Sequence, residues 1–267
     1  MSENKNIEQH YSLDERPFLE RVRGFCQLVE DRYSPYLTDF LNPREIQIIE
    51  DLANYYHLKF FVSSNLETEE YRRVIIAPDY YELSDDDFEI KRLEVFYARQ
   101  FNTLTHPKVL GALINQLGLE RQVFGDIIIN DDGRIQFSIA SHLANYAIMT
   151  IQKIGNVSVT LKEVSEEDWI TNQENYLHSF VLLSSMRLDN VLATVLNLSR
   201  SRALQLITSG KVKLNYRQVE KIDQLITIGD MISVRGHGRF RLAEQEGFSK
   251  SGKAKVTINS MLIRRKK

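Results

Sequence analysis

The segment from Met186 to Asn215 restricts the possible fold more than any other part of this sequence. It reads MRLDNVLATVLNLSRSRALQLITSGKVKLN. Its first half has apolar residues at i, i+3, i+4, i+7 and i+8, as in a helix with one buried face; they are Leu188, Val191, Leu192, Val195 and Leu196. A second short helix is predicted between an N-cap at Ser199 and a stop at Gly210, and a strand follows. Short helices are stabilised mainly by packing, so the segment predicts a small domain that the downstream residues complete.

The first turn of the second predicted helix carries positive charge where helix stability favours negative charge. Arg200, Ser201 and Arg202 follow the cap. A cation at this place opposes the helix dipole at a cost of about 0.3–1 kcal/mol when exposed. Exposed amides, a hydroxyl and two guanidinium groups instead suit the binding of a phosphate. The alternative is a solvated basic turn without a ligand.

The basic residues of the chain are concentrated at this end. Residues 186–267 contain 17 Lys+Arg and 6 Asp+Glu, a net charge of +11, and subtraction from the totals of 34 and 36 leaves 17 and 30 upstream, a net charge of -13. In the strand after Gly210, Val212 and Leu214 point inward, so Lys211, Lys213 and Asn215 share the outer face. Such asymmetry indicates a polyanion-binding end. A basic solubilising tail is the alternative.

The composition places the chain among globular proteins of two or three small domains. Of its 267 residues 43% are hydrophobic and 26% are charged. The single cysteine, Cys26, excludes an internal disulfide and a cysteine-based metal site. Neither a secretory signal nor a run of about 18 apolar residues is visible. We therefore expect a cytoplasmic protein with no membrane partner and no metal.

The upstream residues predict two further regions and an α+β fold class. Residues 1–70 are expected to be mainly helical. Residues 71–165 show the order strand, helix, strand, strand, helix, strand of a ferredoxin-like domain, which RNA-recognition modules also use. Their signature of stacking aromatics is absent, since the strand candidate 133–139 has a single ring, Phe137. A structural or partner-binding role is favoured for this sheet. Residues 166–180 are predicted to be a linker to the basic domain, residues 181–267.

Together the patterns RLDxxL, SRSRAxxLIxxGxVxxN and GDMISV resemble the alpha-L RNA-binding domain named after ribosomal small-subunit protein four, here called the S-four domain. The likeness covers about residues 181–245. It implies that structured RNA is contacted by Arg187, Arg200, Ser201, Arg202, Lys211, Lys213 and Asn215. A ferredoxin-like middle followed by this domain resembles the bacterial YlmH family. That resemblance implies binding of rRNA and tRNA, on the large ribosomal subunit with peptidyl-tRNA, in ribosome-associated quality control.

Two other function classes remain as alternatives to a non-catalytic RNA-binding protein. Pseudouridine synthases use an Arg-Leu-Asp motif with a nucleophilic aspartate, and Arg187-Leu188-Asp189 has these letters inside the first predicted helix. No glycine-rich dinucleotide loop or P-loop is present, so we expect no catalytic residue and no cofactor. Alternatively, the acidic upstream regions recruit a protein partner, which makes the protein a ribosome-linked adaptor in cell division.

Overall fold

A computed structural model describes residues 11–64, 69–170, 177–219 and 221–262. The chain divides into two compact units, Met1–Gln173 and Glu174–Lys267. Both mix helices and sheets, which confirms the predicted α+β class at this level. In the described part of the chain, no helix is long and apolar enough to cross a membrane.

The first part of the N-terminal unit packs two helices on a small sheet. Its elements are α1 (Arg16–Arg32), β1 (Tyr36–Leu37), α2 (Pro43–Tyr55), β2 (Lys59–Val62) and β3 (Val74–Ala77). The strand order is β1-β3-β2, with both pairings antiparallel. Asn42 caps α2 by accepting from the N–H groups of Arg44 and Glu45, and proline occupies the first turn, as its sequence predicts. β3, which the sequence assigns to the middle region, lies between two strands of this sheet.

The middle part has the predicted order of elements. These are β4 (Ile90–Phe96), α3 (His106–Leu117), β5 (Phe124–Ile129), β6 (Ile135–Ala140), α4 (Ser141–Thr150) and β9 (Thr160–Glu163), with the hairpin β7 (Lys153–Ile154) and β8 (Val157–Ser158) before β9. The sheet has the order β5-β6-β4-β9, and all neighbours are antiparallel. Both helices pack on one face of it, against residues such as Leu93, Ile135 and Phe137.

The C-terminal unit packs two helices on one face of a larger sheet. Its elements are β10 (Leu177–Leu183), α5 (Leu188–Val195), α6 (Arg200–Thr208), β11 (Val212–Leu214), β12 (Arg217–Gln218), β13 (Met231–Val234), β14 (Gly238–Phe248) and β15 (Ala254–Leu262). The strand order is β10-β15-β14-β13-β11-β12. The predicted linker therefore includes the start of a strand, since β10 begins at Leu177. Gly210 has φ of +65°, and a side chain there would also collide with Gln218, so glycine ends α6 for two reasons.

Candidate nucleic-acid interface

The predicted basic surface has a buried carboxylate at its centre. Asp189 lies in the first turn of α5 and is 1% exposed. Its Oδ1 accepts a hydrogen bond from Nε of Arg187 at 3.1 Å. Its Oδ2 accepts from Nε and Nη2 of Arg200 at 3.0 and 2.8 Å. One carboxylate thus holds the guanidinium groups of Arg187 and Arg200 and joins the N-termini of both helices.

The two arginines remain accessible although they are anchored. Their side chains are 40% exposed for Arg187 and 66% exposed for Arg200. Burial by itself would raise the pKa of Asp189, but the hydrogen bonds from Arg187 and Arg200 outweigh it and hold that pKa below its ordinary value. The hydrogen bond with Asp189 in turn raises the pKa of Arg187. The cluster keeps a net charge of +1, with guanidinium N–H groups left over for a phosphate.

The position of Arg187 is fixed by this arrangement. Its guanidinium group is bound to Asp189 although much of the side chain is exposed. The reason is that a carboxylate buried under α5 needs partners, and the guanidinium groups of Arg187 and Arg200 supply them. Asp189 is the residue that sequence reasoning missed as an organiser. Asp189 and Arg200 belong to different helices, so their ion pair produces no periodic pattern in the sequence.

The first turn of α6 is as polar and open as its sequence predicts. Ser199 is the N-cap and its Oγ accepts from the N–H of Arg202 at 3.2 Å. The hydroxyls of Ser199 and Ser201 lie 3.0 Å apart. Arg202 donates to Gln205 at 3.1 Å and is exposed. This turn therefore presents hydroxyl and guanidinium donors beside the Asp189 cluster.

The strand residues of the predicted set form a separate group. Val212 and Leu214 pack into the core beneath α6, so Lys213 lies on the face of the sheet opposite to the helices. Lys211 and Lys213 are both exposed. The amide of Asn215 accepts from the N–H of Met231 at 2.8 Å and donates to Asp230 at 2.7 Å. This side chain supports the turn into β13, where its backbone has φ of +46°.

The sheet of the middle part is the one considered for RNA binding because of its order of elements. Its face away from the helices is covered by other residues. Gln136 is completely buried there. Its Nε2 donates to Glu94 and to the backbone oxygen of Asp168, and its Oε1 accepts from the N–H of Ile170 at 2.7 Å. Residues 165–170 therefore lie across the sheet, and the side chain of Trp169 packs under the guanidinium of Arg92 at 5.0 Å.

The other side of the same face is covered by residues before the middle part. The carboxylate of Asp126 on β5 accepts from the N–H groups of Glu70 and Tyr71 at 2.5 and 3.4 Å. A side chain at Gly125 would lie 2.8 Å from the ring of Phe40. Since the face is occupied from both sides, bases cannot stack on it in this conformation. The preference for a structural role of this sheet agrees with its burial.

Comparison with known proteins follows the same division of the chain. Residues 14–81 match a family model described as "YlmH, N-terminal", residues 84–168 one described as "Putative RNA-binding domain in YlmH", and residues 186–232 one described as "S4 domain". Over 253 residues the chain is 32% identical to the ribosome-associated protein quality control protein P2 of Bacillus subtilis, which covers 95% of this chain and 98% of that protein. The chain belongs to the YlmH family.

Two further similarities bear on this YlmH-family protein. A solved structure titled cell division protein ylmH from Streptococcus pneumoniae is 39% identical, with a TM-score of 0.54, and the match covers 60% of this chain and 97% of that one. A segment of 58 residues is 38% identical to an uncharacterised RNA pseudouridine synthase of Mycoplasma genitalium. That match covers 22% of this chain and 19% of the synthase.

Two residues with nucleophile chemistry, Asp189 and Cys26, are buried in this YlmH-family protein. Asp189, the aspartate of the Arg-Leu-Asp letters, is buried and bound by two arginines, so it cannot approach a base. Burial raises the pKa of the Cys26 thiol to about 12, which leaves it protonated and unreactive. Among the described residues, no group of three or more His, Cys, Asp or Glu is placed to hold a metal ion.

Proposed function

We propose that this protein binds structured RNA through its C-terminal unit and acts without catalysis. The observation that carries the proposal is the Asp189 cluster, in which a buried carboxylate orients Arg187 and Arg200 beside the polar first turn of α6. Guanidinium groups in a fixed geometry suit phosphate oxygens, which they contact through paired N–H groups. The proposed contact residues are those of the predicted set, with the arginines as the main contribution.

The partners we propose are rRNA and tRNA on the large ribosomal subunit, with peptidyl-tRNA, in ribosome-associated quality control in the cytoplasm. The name of the Bacillus subtilis relative, which matches almost the whole chain, supports this assignment. So does the match of residues 186–232 to the S-four domain model. The net charge of +11 at this end of the chain provides the attraction to a polyanion.

For the middle part we propose a ferredoxin-like domain that supports or positions rather than reads RNA. The order of its elements and the antiparallel strand order β5-β6-β4-β9 favour this topology. The sheet face away from its helices is covered by the residues that bind Gln136 and Asp126. We accordingly propose three functional regions, with the first boundary after β3 rather than before it, and with a connection between the second and third that lies between Ile170 and the start of β10 at Leu177.

The proposal is tested by replacing Arg200 and Arg202 with alanine in the full-length protein. Removing two phosphate contacts should weaken binding of a fluorescein-labelled rRNA hairpin roughly tenfold or more at low salt. It should also reduce the slope of log affinity against log salt by about two. Fluorescence anisotropy over a salt series measures both quantities. The double variant Lys250→Ala with Lys253→Ala, in the turn between β14 and β15, removes the same charge and is the matched control.

Arg200→Ala deprives the buried Asp189 of a partner, so the double variant could unfold the unit. The single variant Arg202→Ala avoids this problem, because the side chain of Arg202 donates to the exposed Gln205 and not to a buried carboxylate. It should reduce the slope by about one. Unchanged affinity and slope in both folded variants would refute the proposed surface.

The adaptor function is the second candidate, and the acidic character of the residues before 186 favours it. It adds a protein partner to RNA binding and does not replace it. The synthase function has only the short segment match in its support, and the buried position of Asp189 speaks against it.

A further inference from the structure

The six-stranded sheet of the C-terminal unit has a second face that the helices do not cover. Its core face contributes Val212, Ile232, Phe240, Leu242, Val256 and Ile258 to the hydrophobic core beneath α5 and α6. Side chains alternate along a strand, so the residues between these point to the opposite side, which we call the outer face. The outer face is defined by Lys213, Ser233, Arg239, Arg241, Thr257, Asn259, His178 and Phe180.

The register of the strands brings three cations of the outer face together. Lys213 lies opposite Ser233, which lies opposite Arg239 on the next strand. Arg241 follows two positions after Arg239 on β14. Neighbouring strands are about 4.8 Å apart and alternate residues about 7 Å apart, so these cations lie within roughly 12 Å of one another. Lys213 and Arg241 are exposed.

Hydrogen-bonding side chains continue the same surface toward β10. Arg241 lies opposite Asn259, and Asn259 lies opposite His178. Nδ1 of His178 is 2.8 Å from Oδ1 of Asn259. Two positions further along β10 on the same face, Phe180 is 52% exposed. Cations beside an exposed ring are the elements with which sheet surfaces hold a nucleic-acid backbone and stack a base.

The acidic groups near the outer face mark its limit. Glu244 lies opposite Thr257, which lies opposite Phe180, and Glu246 accepts from Oγ1 of Thr257 at 2.9 Å, so the two carboxylates lie at the level of Phe180, one row beyond Arg241 and two rows beyond Arg239. Asp230, at the β11 side, is bound by Asn215 and by Thr227. The positive end of the outer face is thus the row of Lys213 and Arg239 with the adjoining Arg241.

We infer that the outer face is a second RNA-backbone site, with Lys213, Arg239 and Arg241 as its phosphate contacts. The inference rests on the proposed function, because it assumes that the unit meets RNA, and it assigns Lys213 to a different surface from Arg200. His178, Phe180, Arg239, Arg241 and Asn259 all lie outside residues 186–232, which match the S-four domain model. The charge of the outer face favours RNA as its ligand, since three clustered cations attract a polyanion.

The test compares Arg241→Glu with Lys253→Glu in the full-length protein. Both substitutions change the net charge by the same amount, but only Arg241 lies on the outer face. Anisotropy with the same labelled rRNA hairpin and with a single strand of equal length should show roughly tenfold weaker binding to at least one probe for Arg241→Glu. Less than a twofold change is expected for Lys253→Glu. Arg241→Gln, which removes charge without reversing it, should reduce the salt slope by about one.

The outcomes separate this inference from the proposed function. If Arg202→Ala weakens binding while Arg241→Glu and Arg241→Gln both bind both RNAs like the parent protein, the outer face is not an RNA site and the helix-side surface stands. If none of these variants weakens binding, both proposals fail. Crosslinking of a 4-thiouridine-containing RNA to peptides of β10 or β14 would support the outer face. Crosslinks confined to the segment 186–210 would refute it.

Discussion

At the residue scale, Asp189 shows how burial changes the role of a carboxylate. In the sequence it is the third letter of a motif that resembles a nucleophile site. In the structure its side chain is buried in the first turn of α5, and its two oxygens accept hydrogen bonds from Arg187 and Arg200. Its negative charge stabilises the helix N-terminus and holds two cations in place that would otherwise repel each other. A residue that resembles a catalyst therefore positions two arginines.

Replacing Asp189 with asparagine should destabilise the C-terminal unit and weaken RNA binding together. Breaking a buried ion pair costs about 3–5 kcal/mol. Because both arginines are partly exposed, solvent compensates for part of this, and we expect a loss of about 1–3 kcal/mol in the free energy of unfolding. Urea denaturation measures the loss. Glu244→Gln, which neutralises an exposed carboxylate on β14 of the same unit, is the control.

The same variant has a pH signature. The folded pKa of Asp189 is lower than its unfolded value, so its contribution to stability is present above the unfolded pKa of about 3.9 and is lost as pH falls through the folded pKa. The stability difference between the parent protein and Asp189→Asn should therefore shrink toward low pH. A constant difference would contradict the ion-pair account.

Asp189-dependent formation of pseudouridine in rRNA or tRNA, detected by mass spectrometry, would overturn the non-catalytic proposal.

At the element scale, the strands of the middle part show that topology does not decide which face is available. The sequence predicts the order of strands and helices that the middle part has. It also predicts the alternation that turns Gln136 and Ser138 away from the helices. It does not predict that residues 165–170 and the chain near Glu70 cover these side chains. These contacts link residues 32 to 56 positions apart, beyond the reach of local patterns.

The Asp126 contact predicts a pH-dependent stability of the N-terminal unit. Burial, together with the carboxylates of Glu70 and Glu69, raises the pKa of Asp126 to about 7, although hydrogen bonds from the N–H groups of Glu70 and Tyr71 act in the opposite direction. Because the folded pKa exceeds the unfolded one, the stabilising contribution is complete below about pH 3.9 and is lost as pH rises through 7. The parent protein at pH 8 carries a buried charge.

Asp126→Asn should remove that pH dependence. A pKa difference of roughly three units sets a ceiling of about 4 kcal/mol on the effect. We expect the variant to be about 1–3 kcal/mol more stable than the parent protein at pH 8, since part of the gain is offset by the weakened contact with Tyr71, and to have a clearly smaller advantage at pH 5. Thermal unfolding at the two pH values measures this. Asp132→Asn, in the exposed turn before β6, should show no change at either value; an equal gain in both variants would exclude burial as the cause.

At the scale of the whole molecule, the division of charge agrees with the division into compact units. The segment 186–267, net +11, falls within the unit that begins at Glu174, and the excess of acidic residues falls mostly in the other unit. Each unit has its own hydrophobic cluster. RNA affinity and protein recruitment can therefore be assigned to different parts of one chain, as the adaptor alternative requires.

Separated units should keep separate activities. We expect residues 174–267 to fold alone, because sixteen buried residues form their core, and to bind the rRNA hairpin with a salt slope close to that of the full chain. Residues 1–173 should bind it at least tenfold more weakly. Circular dichroism and anisotropy measure folding and binding. Sedimentation with ribosomes then tests the adaptor function: loss of association in a folded, RNA-binding C-terminal unit would show that the N-terminal unit recruits the partner.

The sequence by itself determined the features of this protein that depend on neighbours along the chain. The stripe of Leu188, Val191 and Leu192, the cap at Ser199 and the stop at Gly210 are set by helical periodicity and backbone conformation, and the excess of basic residues at this end needs only counting. Residues that meet across the fold were decided by the tertiary structure. Burial of Asp189 in the first turn of α5 gave it Arg200 as a partner, and strand pairing placed Lys213 and Arg239 in one row on either side of Ser233. Packing of residues 165–170 closed the middle sheet. Burial and pairing depend on distant segments, so no local pattern encodes them.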